Sequence, residues 1–173
     1  MIGGMSKLAK TEQHLESCWR TPKWLVDRIR DDIFGGVIDL DPCTDDTNPT
    51  SARRFYTPVN DGILQPWYNA ATIYVNPPYG KTIGKWVTKA VLTERSRSRI
   101  VVLVPARTDS KWAQLLLANM TNALFFRGRL SFELPGQIEQ SAPFPSMLVG
   151  LNVSLKPLRD LGVLVQAIEE NAI

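Results

Sequence analysis

Thr72-Ile73-Tyr74-Val75-Asn76-Pro77-Pro78-Tyr79 is the stretch that decides how the chain folds. Its first four residues are β-branched or aromatic, as in a buried strand. Two prolines then withhold two backbone donors and stiffen the turn. Pro77 also restricts Asn76 to extended backbone. The result is a rigid loop with free carbonyl oxygens and one projecting amide. Downstream, Thr82 offers an N-cap, and Ile83, Trp86, Val87, Ala90 and Val91 fall on one helical stripe. Ile100 to Val104 is an unbroken apolar run, the pattern of a parallel strand covered on both faces.

The same alternation extends outward in both directions. Thr21-Pro22 predicts a helix start, with Thr21 as N-cap and Pro22 in the first turn. Leu25, Ile29 and Ile33 mark its buried face, and Gly35-Gly36 stop it. Val37 to Asp41 reads as a short strand ended by Pro42. A polar stretch from Asp45 to Asp61 follows, with a short strand over Arg53 to Tyr56. Asp109 is the expected cap of a third helix that buries Trp112, Leu115, Leu116 and Met120. Further strands are expected at Ala123 to Phe126, Leu130 to Phe132 and Met147 to Val153. Ser131 to Pro145 reads as a loop, and Pro157 starts a short last helix. Strands alternating with helices predict an α/β sandwich with a mostly parallel sheet. Residues 1–18 read as a flexible lead-in and 19–173 as a single domain.

Composition narrows the class. Hydrophobic residues make up 44% and charged residues 21%, ordinary for a globular protein with a core. No apolar run approaches the ~20 residues of a membrane span, and Met1 to Lys10 lacks the apolar core of a secretory signal. Cytoplasmic location is the simplest expectation. Cys18, Cys43 and His14 make neither a disulfide framework nor a metal-ligand set, so no metal is expected. A net charge of +3 is compatible with nucleic acid without demanding it.

In open α/β sheets, ligands bind beyond the carboxyl ends of the strands. Two polar clusters sit at such ends: Asp39 with Asp41, and Asn76 to Tyr79. The second has a specific chemical use. An aromatic amine is a poor nucleophile because its lone pair is delocalised. Acceptors for both of its N–H groups draw the nitrogen toward a tetrahedral form, and the Asn76 amide oxygen and the Pro77 carbonyl suit that task. Tyr79 can stack on a flipped base, a contact worth about 1–3 kcal/mol. Asp41, and less so Asp39, suits the ammonium or ribose of a methyl-donor cofactor. Both also read as turn or capping residues.

The chain resembles the compact phage and prophage Dam-like DNA N6-adenine methyltransferases. The matching pieces run in order from Trp19-Arg20-Thr21-Pro22 through Ile38-Asp39-Leu40-Asp41-Pro42-Cys43 with Asn48. Phe55-Tyr56-Thr57, Asp61-Gly62-Ile63-Leu64 and Trp67 follow, then Val75 to Tyr79 with Trp86-Val87. Val102 to Asp109 with Trp112, Gly128 to Phe132, and Ala142 to Ser146 complete the series. The resemblance implies a Rossmann-like methyltransferase fold with an antiparallel last strand. It also implies S-adenosylmethionine as cofactor and adenine in double-stranded DNA as substrate. Asn76, Pro77, Pro78 and Tyr79 would be catalytic. Trp19, Thr21, Pro22, Asp39, Asp41, Pro42, Cys43, Asn48, Asp61 and Asn76 would hold the cofactor. Tyr79, Lys81, Arg107 and Arg129 would contact DNA, and the Ser131 to Pro145 loop is the best position for base contacts.

One departure from many amino-methyltransferases stands out. Asp41-Pro42-Cys43-Thr44-Asp45 carries no glycine where a glycine-rich cofactor loop is common. The site then relies on side chains more than on bare backbone. Asp61 reads equally as an acceptor for the cofactor's adenine amino group or as a turn aspartate. Cys43 lacks the glutamine expected after a cytosine carbon-5 nucleophile and reads as a packed residue. An RNA or protein-glutamine amino-methyltransferase of the same fold is the alternative.

Overall fold

A computed structural model describes residues 19–94, 97–133 and 140–167. The predicted lead-in 1–18 and the middle of the 131–145 loop lie outside the described residues. The first helix, α1 (Lys23–Arg28), widens into a π turn over Ile29–Ile33. Its N-cap is Pro22, and no side chain caps it. The Thr21 hydroxyl is instead engaged by Tyr74 at 2.5 Å, so the expected cap is turned toward the sheet. Gly35 and Gly36, at φ +76° and +102°, end the helix as expected, and the Gly36 N–H donates to the Arg30 carbonyl at 2.8 Å.

The strands are β1 (Leu40–Asp41), β2 (Arg54–Phe55), β3 (Thr72–Val75), β4 (Arg99–Pro105), β5 (Asn122–Phe126), β6 (Ser131–Phe132), β7 (Gln140–Ser141), β8 (Ser146–Leu151) and β9 (Gly162–Gln166). Helix α2 (Ile83–Glu94) joins β3 to β4, and α3 (Lys111–Ala118) joins β4 to β5. Seven strands form one sheet in the order β2-β1-β3-β4-β8-β5-β9, and β6 and β7 form a separate antiparallel pair. Strands β2, β1, β3 and β4 are mutually parallel. Strand β8 runs against both β4 and β5, and β9 runs against β5. Two strands are thus reversed where one was expected.

Alternate residues of β4 serve two cores. Ile100, Val102 and Val104 pack with Trp86, Val87 and Ala90 of α2 and Leu116 of α3. Val101 and Leu103 pack with Leu25, Val26 and Ile29 on the α1 side. Strand β4 is therefore covered on both faces, as its unbroken apolar run requires. Among the described residues, no helix is long and apolar enough to cross a membrane.

Several local expectations change. Ser110, not Asp109, caps α3 by accepting from the Ala113 N–H, because the chain is still extended at Ser110. Of the expected buried side of α3, Leu116 is buried together with Ala113, Trp112 and Met120 are half-buried, and Leu115 is exposed. The predicted last helix is a 3-10 turn over Lys156–Leu161. Its Gly162–Gln166 continuation is an edge strand, half-wet at Val163 and Val165. The expected Ser131 to Pro145 loop contains a pair of antiparallel strands, β6 and β7.

The strand order reverses at β1, with β2 on one side and β3 on the other. Such a reversal opens a crevice at the carboxyl ends of the two neighbouring strands. Asp41 ends β1, and Asn76 directly follows β3. The topology thus puts both polar clusters of the sequence on one crevice.

Candidate active site

Asn76 is the best-anchored polar group of the crevice. Its Nδ2 donates to the Trp19 carbonyl at 2.7 Å and to the Thr21 hydroxyl oxygen at 3.2 Å. Exchanging the amide's two ends would set oxygen against a carbonyl oxygen, so the partners determine which end is which. The Oδ1 is left as an acceptor on the other side. Thr21 is held in turn by the hydroxyl of buried Tyr74 at 2.5 Å. Tyr74 and Asn76 are two apart along β3 and its extension, and so share a face. Among the described residues nothing donates to the Pro77 carbonyl.

Asp41 is buried to 2% exposure. Its Oδ1 accepts from the Cys43 N–H at 3.0 Å and its Oδ2 from the Thr50 hydroxyl at 2.8 Å. Burial pushes its carboxyl up to about 6, against the pull of the Cys43 and Thr50 bonds. No cation is paired with it among the described residues. Asn48, at φ +46°, shapes the loop that delivers Thr50, and its Oδ1 accepts from the Ala52 N–H at 3.1 Å.

Tyr79 closes the crevice from the loop side. Its ring meets Phe144 edge-on at 5.4 Å and Phe132 at 6.2 Å. Trp19 stacks on Phe144 at 5.9 Å. Among the described residues the buried Tyr79 hydroxyl has no hydrogen-bond partner, and burial holds its pKa well above the usual range. An unsatisfied buried hydroxyl costs about 1–3 kcal/mol.

The crevice has two adjoining chambers. The first, of about 490 Å³ including space shared with solvent, is walled by Trp19, Arg20, Thr21, Asp41, Asn76 and Tyr79, among others. The second, of about 1040 Å³ on the same basis, is walled by Pro42, Thr57, Asp61, Ile63, Lys85 and Trp86, among others. Cys43, Thr44 and Pro78 border both. Gly62 brings the two loops together: a Cβ there would lie 1.9 Å from the Pro42 carbonyl oxygen. Lys89 secures the same loop by donating to the Ile63 and Gln65 carbonyls, and Trp67 by donating to the Gly62 carbonyl at 2.8 Å.

The structure gathers Trp19, Thr21, Asp41, Pro42, Cys43, Asp61 and the whole Asn76 to Tyr79 loop around this crevice. It does not bring Asp39, Asn48 or Pro22 to its walls. Asp39 lies just before β1, where its Oδ2 accepts from the Ala71 and Thr72 N–H groups at 3.1 and 3.2 Å. Its work there is to hold β3 in register. Asp61, at φ +49°, makes a turn with its own loop by accepting from the Ile63 N–H at 3.2 Å, and it also lines the second chamber. Lys81, Arg107 and Arg129 are exposed, follow the carboxyl ends of β3, β4 and β5, and have no carboxylate partner among the described residues. Arg107 lies over the Phe144 ring at 5.7 Å.

Sequence reasoning missed Arg20, Thr50, Tyr74, Phe132 and Phe144. Phe132 and Phe144 fall in Gly128 to Phe132 and Ala142 to Ser146, yet read alone as ordinary apolar residues. Tyr74 reads as strand core, and only its hydroxyl's partner marks it out.

No curated protein matches the chain. The family model described as DNA N-6-adenine-methyltransferase (Dam) matches residues 8–161. That match spans the crevice, both cores and all the sheet except β9. The chain belongs to the Dam family of DNA N-6-adenine-methyltransferases.

Proposed function

We propose that the protein methylates the N6 amino group of an adenine flipped out of double-stranded DNA, with S-adenosylmethionine as methyl donor. One observation carries the reading: the Asn76 amide is anchored through Nδ2, so that Oδ1 is kept as an acceptor at the crevice. With the Pro77 carbonyl it offers two acceptors to the two N–H groups of an aromatic amine. Drawing on both hydrogens moves the nitrogen lone pair out of conjugation, where it can attack. The cofactor, when bound, supplies a methyl group made electrophilic by its sulfonium. No enzyme nucleophile is required.

The chain's residues fit such a cofactor. Unpaired, buried Asp41 is suited to the cationic amino group of a methionyl moiety, and a cation beside it would draw its carboxyl back to the charged form. The second chamber, with Ile63, Trp86 and the Asp61 carboxylate, suits an adenosyl group. Tyr79 and Phe144, with Trp19 behind, offer aromatic surface to an extruded base. Lys81, Arg107 and Arg129 supply unpaired positive charge for phosphates. If the chain is encoded by a phage or prophage, the enzyme works in the cytoplasm of the bacterial host.

Transfer of labelled methyl from S-adenosylmethionine to unmethylated DNA, RNA and protein tests the reading. Label in DNA as N6-methyladenine is the expected result. Label in RNA or protein alone, or in nothing, overturns it.

A further inference from the structure

Arg20 stands in the same chamber as Asp41 and is absent from the roles above. We infer that Arg20 receives the α-carboxylate of the cofactor's amino-acid end, so that Asp41 and Arg20 together grip a zwitterion; this rests on the function proposed above.

The backbone of Arg20 is fixed by a reciprocal pair of hydrogen bonds with Glu133, each 3.0 Å long. Its side chain, 23% exposed, lines the first chamber with Asp41, Asn76 and Tyr79. Asp45 engages only its Nε, at 2.6 Å. Among the described residues no partner is present for the two terminal nitrogens. Asp45 is itself held from behind, its Oδ1 accepting from the Thr47 N–H at 2.9 Å and the Thr47 hydroxyl at 2.5 Å. Those bonds and Arg20 together outweigh its burial and hold its carboxyl below the ordinary value. The ion pair therefore orients the guanidinium without using up its fork.

A fork held by its Nε presents a planar pair of donors that matches a carboxylate. The same chamber holds a buried carboxylate, Asp41, with no cation paired to it among the described residues. One positive and one negative group, both partly withdrawn from water, complement an α-amino acid better than either an anion or a cation alone. This also accounts for the missing glycine loop. Where many methyltransferases use bare backbone around this part of the cofactor, here two side chains carry the recognition. A DNA phosphate is the competing occupant of the Arg20 fork.

Calorimetry on the full chain separates the possibilities. The ligands are S-adenosylhomocysteine, which carries the carboxylate, and 5′-methylthioadenosine, which lacks the whole amino-acid end. In Arg20→Met, affinity for S-adenosylhomocysteine should fall tenfold or more, while affinity for 5′-methylthioadenosine stays within twofold of wild type. Arg20→Lys, which keeps the charge and loses the fork, should fall between. Equal losses for both ligands in both variants would overturn the inference, as would no loss for either. A fall in DNA affinity with cofactor affinity unchanged would assign the fork to phosphate instead. If the wild-type chain binds neither ligand, the proposed function itself fails, and this outcome is distinct from all the others.

Discussion

Replacing Asp41 by Asn should make the ligand-free protein more stable and the enzyme worse. Asp41 is 2% exposed and has no cation beside it among the described residues, so its charge is held at a cost. Its carboxyl titrates near 6 in the folded chain against an ordinary 3.8. Below pH 3.8 it is protonated in both folded and unfolded chains and costs nothing. As the pH rises from 3.8 to about 6, the unfolded chain loses its proton first, and folding is progressively disfavoured. Above that window the cost is constant, at about 3 kcal/mol. Asn keeps the shape: its oxygen can accept from the Cys43 N–H, and its nitrogen can donate to the Thr50 hydroxyl. At pH 8 the variant should gain up to about 3 kcal/mol, or roughly 6–12 °C in melting temperature for a chain of this size. At pH 5 the wild type has recovered about half of its deficit, so the gap should shrink to about half. Melting of both ligand-free proteins at the two pH values is the assay, with cofactor affinity measured alongside. Cofactor affinity should drop at least tenfold in the same variant. A variant less stable than wild type at pH 8, or a gap that does not narrow on acidification, would refute the reasoning that Asp41 is an uncompensated buried charge kept for a ligand.

Four other outcomes are expected. Asn76→Ala should abolish methyl transfer while calorimetric cofactor affinity stays within a few-fold, because Oδ1 serves the target amine; loss of cofactor binding would count against that division. Tyr74→Phe removes the hydroxyl that holds Thr21; at about 1–1.5 kcal/mol for that bond, kcat should fall about tenfold with cofactor affinity unchanged, and an affinity loss alone would exclude an orienting role. Gly62→Ala puts a methyl group 1.9 Å from the Pro42 carbonyl oxygen, which should cost about 1–3 kcal/mol in denaturant unfolding and raise the cofactor KM; a neutral variant would show that the two loops are not pinned together. Changing Lys81, Arg107 or Arg129 to Gln should each lower the slope of log DNA affinity against log salt by about 1, and an unchanged slope would remove that residue from the DNA surface.

Much of the scaffold was legible because its signals are local. The Ile83 to Val91 stripe, the Ile100 to Val104 run and the Gly35-Gly36 stop each depend on a few neighbouring residues, and each recurs in the structure. Caps were less legible. Thr21 and Asp109 have the right chemistry for an N-cap, yet tertiary contacts took Thr21 for Asn76 and Tyr74, and Ser110 capped α3 in place of Asp109. Strand β9 was missed because an edge strand with one wet face has a weak pattern. In sequence Asp39 and Asp41 share one face of a strand, and only the nearness of Asp41 to the strand's carboxyl end sets it ahead. Their separation, one just before β1 bracing β3 and the other at its end in the crevice, follows from which neighbour each strand end meets.

By itself the sequence determined the alternation of strands and helices and the rigid Asn76 to Tyr79 loop. These rest on side-chain periodicity and on proline's fixed backbone, which act within a few residues. Only the tertiary structure decided that β1 and β3 are neighbours at a reversal of strand order, and with it that Asp41, Asn76, Arg20 and Tyr79 share one crevice. Strand order is set by long-range burial of both sheet faces, and no local pattern encodes it. The orientation of the Asn76 amide is of the same kind, because its partners, the Trp19 carbonyl and the Thr21 hydroxyl, lie more than fifty residues away along the chain.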